Sequence, residues 1–257
     1  MVNDMAEKQP NTRFEESGGG LYKIKGGIGH SDWSADGMQP HLADKMLEYL
    51  DENKDSDKPF FLYMALTAPH IPLFPSKEFK GKSKIGDYGD LVMMIDDIVG
   101  RVNRKLKEIG KYDNTIVMFA ADNGCAGYIN MDRINRKGHY PSYIYRGYKS
   151  HVWEGGHRIP FILSWGDRYG HVTDNSLVSL TDLYATFADM LGYRIADDEA
   201  EDSFSFWPIL DGSGNAARVK KYIEDGRSTP GAKAANDGGN SWKQITDMMS
   251  GLYAGNR

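Results

Sequence analysis

The stretch NTIVMFAADNG, Asn114 to Gly124, decides how the chain is read. Thr115, Ile116, Val117, Met118 and Phe119 are strand formers with almost no polar group among them. A continuous apolar run of this length suits a strand covered on both faces, as in a parallel sheet. It stops abruptly at Asp122-Asn123-Gly124. At the carboxyl end of a strand in an open α/β sheet, where ligands bind, adjacent Asp and Asn oxygens suit a hard divalent cation, Ca²⁺ ahead of Mg²⁺. Asn-Gly after a strand is equally a hairpin-turn signal, so both readings stand on these residues alone.

Working outward, Pro59 to Leu66 (PFFLYMAL) is a second apolar run. It leads into Thr67-Ala68-Pro69-His70 and so repeats the pattern of a strand ending in a polar group. Between the two runs, Leu91, Ile95, Ile98, Val102, Leu106 and Ile109 recur at helical spacing, predicting a helix over 87–109 capped by Gly110. Asp96 and Asp97 point about 100° apart on that helix and read as surface charge. Strand, helix and strand make a right-handed βαβ unit. Further helices are expected over 40–53, with Leu42, Met46, Tyr49 and Leu50 on one face, and over 179–191. Another strand is expected from His157 to Trp165. Residues 1–38 read as irregular, and 125–157 as a long loop rich in Gly, His, Tyr and Arg. The expected fold is therefore α/β: a doubly wound, mostly parallel sheet flanked by helices.

Composition narrows the function. A net charge of −5 leaves no basic excess to neutralise phosphates, so nucleic acid is not an expected partner. No apolar run reaches the roughly 20 residues of a membrane span. The polar first residues show no export address in this chain, and the compartment stays open. The single cysteine, Cys125, excludes an internal disulfide framework. His70, Asp122 with Asn123, Lys149 and His139 cluster at two strand ends and the following loop. One cation site with cationic donors suits a sulfate or phosphate group.

Three segments carry a family resemblance: KPFFLYMALTAPHIP, NTIVMFAADNG and GHYPSYIYRGYKSHVWEGGHRIPFILSW. In order and spacing they resemble the sulfatases of the alkaline-phosphatase superfamily, in the branch of arylsulfatase A and N-acetylgalactosamine-6-sulfatase. The resemblance runs from about Gly26 to about Leu210. It divides the chain into a lead-in (1–25), a partial catalytic domain (26–210) and a divergent or partly disordered end (211–257).

The resemblance implies roles residue by residue. Asp122 and Asn123 match metal ligands, usually for Ca²⁺. Lys149 matches a sulfate-binding lysine, and His70 a histidine that contacts sulfate and assists the leaving group. His139 and Arg146 lie near the substrate, and Glu154, Gly155 and Gly156 form a positioning turn. The family is secreted, periplasmic or lysosomal. Its nucleophile is a formylglycine made from Cys in Cys-x-Pro-Ser-Arg, and an Asp-Asp pair adds metal ligands. Neither motif is here, since Cys125 is followed by Ala126-Gly127-Tyr128. The expectation is thus the carboxyl-terminal portion of a sulfatase without its amino-terminal part, inactive alone. It would act with a sulfated small molecule or glycan as partner, and with a missing amino-terminal half. Three alternatives stay open: a non-catalytic binder of sulfated glycans, an esterase of the wider superfamily acting on phosphate, and a degenerate, aggregation-prone fragment.

Overall fold

Gly110 ends the longest helix and turns the chain toward the strand read first. In the computed structural model, which describes residues 7–169 and 172–214, helix α2 runs from Asp87 to Glu108. Gly110 adopts φ +69. Its N–H bonds to the Lys107 carbonyl (3.1 Å), and the Lys111 N–H bonds to the Leu106 carbonyl (2.9 Å). This is the paired closure of a glycine-capped helix end. The expected helix is therefore realised, stopped by the expected residue.

The described residues fall into two units, divided between His171 and Val172. In the first, helix α1 (Met38–Glu52) packs on α2. Ala43, Met46, Leu73, Phe79, Leu91, Met94 and Ile98 form the core, with Met64, Leu66 and Tyr88 packed against it. The buried line of α1 is Gln39, Ala43, Met46 and Leu50. That rotates the expected face slightly, leaving Leu42 and Tyr49 half-buried and bringing a glutamine inside. Arg101 reaches across to Asp44 at 2.6 Å. Asp96 is exposed, as expected of surface charge.

Asp90 is fully buried, and its carboxylate accepts the N–H groups of Gly81 (2.7 Å) and Ser83 (2.5 Å). A buried charge held by two backbone donors is satisfied rather than stranded. It fastens the loop before α2 to the helix.

The strands differ from expectation. Strands β1 (Thr12–Phe14) and β2 (Gly27–Gly29) pair antiparallel, so the lead-in holds a small ribbon where irregular chain was expected. Strand β3 (Ile116–Ala120) pairs antiparallel with β4 (Phe161–Trp165), from Ile116↔Trp165 to Ala120↔Phe161. Both sheets among the described residues are two-stranded and antiparallel. The doubly wound parallel sheet and its βαβ unit are not formed there. Residues 59–66 make no ladder: Met64 and Leu66 pack on the core, while Phe61 and Tyr63 are 74% and 81% exposed. An apolar run signals a demand for burial but carries no information on strand direction or partner.

The long loop after β3 contains helix α3 (Met131–Arg136) and one helical turn, α4 (Glu154–His157). The last expected strand accordingly starts at Phe161 rather than His157.

In the second unit, helix α5 (Leu183–Leu191) follows a 3₁₀ turn at Leu180–Asp182, as the expected 179–191 helix. Asp182 is buried; its carboxylate accepts the N–H groups of Ser179 (2.8 Å) and Phe204 (2.9 Å). Thr186 Oγ1 donates to the Asp182 carbonyl and accepts the Phe206 N–H. This polar knot binds the segment leading to helix α6 (Trp207–Leu210). The expectations for 215–257 lie outside the described residues.

Candidate functional site

The site begins where β3 ends. Asp122 and Asn123 follow the strand directly, and Asn123 Nδ2 donates to Asp122 Oδ1 at 2.6 Å. This bond sets the Asn123 amide nitrogen against the Asp122 carboxylate and fixes the two side chains to each other. Gly124 is buried and donates its N–H to the Gly156 carbonyl at 2.9 Å. A Cβ on Gly124 would stand 2.0 Å from the Gly155 oxygen. A Cβ on Gly155 would stand 2.2 Å from the Gly147 oxygen. Three backbone runs thus cross at a spacing that no side chain permits. The Gly155 N–H bonds to the Arg146 carbonyl (2.9 Å), and the Lys149 N–H bonds to the Cys125 carbonyl (2.8 Å). Lys149 is thereby fixed beside the turn that carries Asp122 and Asn123.

His70 arrives from a different segment. Its Nδ1 lies 2.7 Å from the Ile71 carbonyl oxygen. A carbonyl only accepts, so Nδ1 carries the proton and Nε2 is left for another partner. The ring stands edge-on to Tyr128, centroids 6.2 Å apart. Tyr128 Oη is bonded by the Ile71 backbone. Burial raises the Tyr128 pKa, and the Ile71 hydrogen bond partly offsets this, while Cys125 and Asp122 add to the rise. Tyr128 is the link that brings the His70 turn to the Asp122 turn.

Tyr88, in the first turn of α2, supplies a second link. Its Oη is 3.7 Å from Cys125 Sγ, and its ring is 6.5 Å from that of His139. Burial, then the neighbouring Cys125, pushes the Tyr88 phenol far up, so it stays neutral. Burial also raises the Cys125 pKa, and the Tyr88 hydrogen bond only partly offsets it. Arg146 is exposed and stacks on Trp153 at 4.0 Å.

With this geometry in view, comparison with known proteins is decisive: the family model described as Sulfatase matches residues 5–193. The chain belongs to the sulfatase family. It is 33% identical to an N-acetylgalactosamine-6-O-sulfatase of Bacteroides thetaiotaomicron over 174 residues, 66% of this chain and 34% of that one. It is 36% identical to the human N-acetylgalactosamine-6-sulfatase over 156 residues, 59% of this chain and 28% of that one. A solved structure from work on glycosaminoglycan metabolism by Bacteroides thetaiotaomicron superposes with TM-score 0.67 at 32% identity, covering 74% of this chain and 40% of that one. A sulfatase structure from Pseudoalteromonas sp. superposes with TM-score 0.54 at 32% identity, over 62% and 30% of the two chains. This sulfatase chain spans about a third of the length of the curated relatives it matches.

Against the family's chemistry, the donor set is incomplete. Ca²⁺ takes 6–8 oxygens. Asp122 and Asn123 offer two side chains, and no group of three or more His, Cys, Asp or Glu residues able to hold a metal occurs among the described residues. The residues present do not by themselves fit a calcium shell. Nor does Cys125 fit a formylglycine precursor. Its thiol is half-buried between Tyr88 Oη and Met131 Sδ (3.9 Å), in the wrong sequence context.

Lys149 is thus joined through its backbone to Cys125, beside Asp122 and Asn123 in the chain, while His70 stands against Tyr128 and His139 near Tyr88. Arg146 joins through the backbone, its guanidinium occupied with Trp153. Sequence reasoning missed Tyr88 and Tyr128, the two residues that connect the segments. Tyr128 sits among several loop tyrosines and Tyr88 at a helix start, so nothing in their spacing marks either one.

Proposed function

We propose that this chain carries the sulfate-contacting edge of a sulfuric ester hydrolase acting on a sulfated sugar, and that the nucleophile is not among its residues. What carries the reading is the crossing of backbones at Gly124, Gly155 and Gly156. It sets Lys149 beside Asp122 and Asn123 by hydrogen bonds that no side chain interrupts. The Lys149 ammonium neutralises sulfate oxygens. His70 keeps its Nδ1–H on the Ile71 carbonyl and presents Nε2 to the ester oxygen; as the imidazolium it gives the Nε2 proton to the departing alcohol and is left as the neutral ring. Asp122 and Asn123 would offer two side chains to a Ca²⁺ ion, short of the 6–8 oxygens it takes, and the ion would supply Lewis-acid charge to the sulfate. His139 and Arg146 face the substrate from the loop. Its N-acetylgalactosamine-6-sulfatase relatives make N-acetylgalactosamine 6-sulfate the substrate to try first.

A second reading, a non-catalytic binder of sulfated glycans, is favoured by the exposed Tyr140, Tyr143 and Trp153, which lie in the same loop of the sequence as Lys149. Titration calorimetry and sulfate release separate the two readings from failure of both. The chain alone is expected to bind inorganic sulfate and the 6-sulfated sugar without releasing sulfate. Lys149→Ala is expected to weaken both by roughly tenfold or more, the loss of a charged hydrogen bond. Sulfate release by the purified chain would overturn the placement of the nucleophile. Unchanged binding in Lys149→Ala would overturn the site. Should a longer chain containing these residues hydrolyse the ester, the catalytic reading wins over the binding one.

A further inference from the structure

Two neighbouring segments of the first unit concentrate positive charge, although the chain as a whole carries −5. The loop before α2 contributes Lys77, Lys80, Lys82 and Lys84. Helix α3 and the residue that closes it contribute Arg133, Arg136 and Lys137. All seven are exposed. Across residues 77–87 and 131–137 the acids are Glu78, Asp87 and Asp132. The two segments meet in space. Lys137 Nζ donates to the Lys84 carbonyl. The Arg133 guanidinium stands 3.7 Å from where a Cβ on Gly86 would lie.

Pairing sets this patch apart from the rest of the surface. Elsewhere cations meet acids: Lys8 lies on Asp32, Lys45 on Glu7 and Glu48, Arg101 on Asp44, and Lys105 on Glu108. Of the seven cations here, Lys80 alone stands in an ion pair among the described residues, with Asp87 at 2.7 Å. Asp87 is also taken by Tyr22, whose Oη donates to it at 2.7 Å. Lys82 Nζ rests 4.7 Å over the buried Phe79 ring, and Lys137 is spent on a carbonyl; neither contact cancels the charge. Like charges gathered without counter-charges raise the local potential and repel one another. A single small anion reaches few of them. A polymer with repeated anionic groups engages both segments at once.

Position selects the polymer. Lys137 stands two residues before His139, whose N–H bonds to the Ile134 carbonyl of α3 at 3.3 Å. Asp87 precedes Tyr88, whose ring lies 6.5 Å from that of His139. The patch therefore runs up to the edge of the site described above. We propose that it is an exosite for a polymeric sulfated glycan: it holds anionic units of the chain beyond the sulfated sugar that occupies the site, so that a polysaccharide is preferred to the free monosaccharide. The inference rests on the reading of that site as one for a sulfated sugar, and adds a surface that selects for chain length.

The test follows binding to the chain by calorimetry, with chondroitin 6-sulfate chains, unsulfated chondroitin chains of the same length, N-acetylgalactosamine 6-sulfate and a DNA duplex as probes. The sulfated polymer is expected to bind at least about tenfold more tightly than the monosaccharide, and to lose that advantage as salt is raised. The double substitution Lys82→Gln with Lys84→Gln is expected to weaken the sulfated polymer by about tenfold and to leave the monosaccharide unchanged. Arg133→Gln with Arg136→Gln, on the other segment, is expected to do the same and keeps the test open if the first variant does not fold. Polymer binding unchanged in both double variants overturns the exosite, as does a parent chain that binds the polymer no more tightly than the monosaccharide. Equal binding of unsulfated chondroitin overturns the role of sulfate, and equal or tighter binding of DNA overturns the glycan as partner in favour of nucleic acid. Unchanged inorganic sulfate binding in Lys149→Ala speaks only against the catalytic-edge reading. The two failures are therefore distinguishable.

Discussion

Two apolar runs of similar length and composition meet opposite fates in this chain. Thr115 to Ala121 contains strand β3, laddered to β4 through five residue pairs. Pro59 to Leu66 forms no strand ladder among the described residues, hides Met64 and Leu66 against the core, and exposes Phe61 and Tyr63. Both runs end in the residues on which the function is proposed to rest. The difference shows that the ladder is not what places a functional residue here. Asp122 and Asn123 are placed by a strand and a glycine crossing, whereas His70 is placed by Tyr128 and by helix packing beneath Met64 and Leu66.

The sharpest way to break the comparison is at the crossing. Gly155→Ala puts a Cβ within 2.2 Å of the Gly147 oxygen, where only backbone movement relieves it. A loss of roughly 3–4 kcal/mol is expected in urea unfolding, at the severe end for a single substitution. Sulfate binding should fall as well, because Lys149 loses its fixed place. Retention of the parental midpoint would show that the crossing is looser than described.

A matched pair of substitutions sharpens the contrast between the runs. Met118→Ser, inside the ladder, is expected to cost about 2 kcal/mol through lost apolar burial. Tyr63→Ser, on an 81% exposed side chain, is expected to change stability by less than about 0.5 kcal/mol. It should also reduce concentration-dependent association, measured by light scattering, since exposed apolar edges pair with other chains. A large stability loss from Tyr63→Ser would mean that the run is buried after all.

The smallest effect is in pH. Burial pushes the Asp87 pKa up, but hydrogen bonds from Lys80 and Tyr22 outweigh it and hold the carboxyl below the ordinary value. A depressed folded-state pKa contributes stability above the unfolded value of about 4, and that contribution fades as pH falls through the lowered one. Melting temperatures of the parent and Asp87→Asn should therefore converge as the medium is acidified below about pH 4. A gap that stays constant to pH 2 would remove Asp87 from the account of how the start of α2 is held.

The legible parts of this molecule were those with a local cause. The apolar period and the Gly110 cap specify α2, and α5 follows from the same kind of pattern. Asp122, Asn123 and Lys149 stand out because their surroundings are aperiodic and glycine-marked. Strand direction was not legible, because β3 and β4 are forty residues apart and each is apolar enough to suit either orientation. Nor were Tyr88, Tyr128 and Asp90. Each acts through contact with a distant segment, and a single residue type in a helix or loop announces no such contact.

The glycine crossing at 124, 155 and 156 also bears on how this loop can change over evolutionary time or under laboratory selection. Its route is held by main-chain hydrogen bonds, by His157 Nε2 on the Val152 carbonyl (3.1 Å) and by the Arg146–Trp153 stack, while the side chains of Tyr143, Ile144 and Val152 are 70%, 66% and 86% exposed. Those positions are free to be exchanged without re-routing Lys149. A library varied at these three sites would alter what approaches the loop while keeping its anion contact in register, so new preferences and an old chemistry are separable within one short segment.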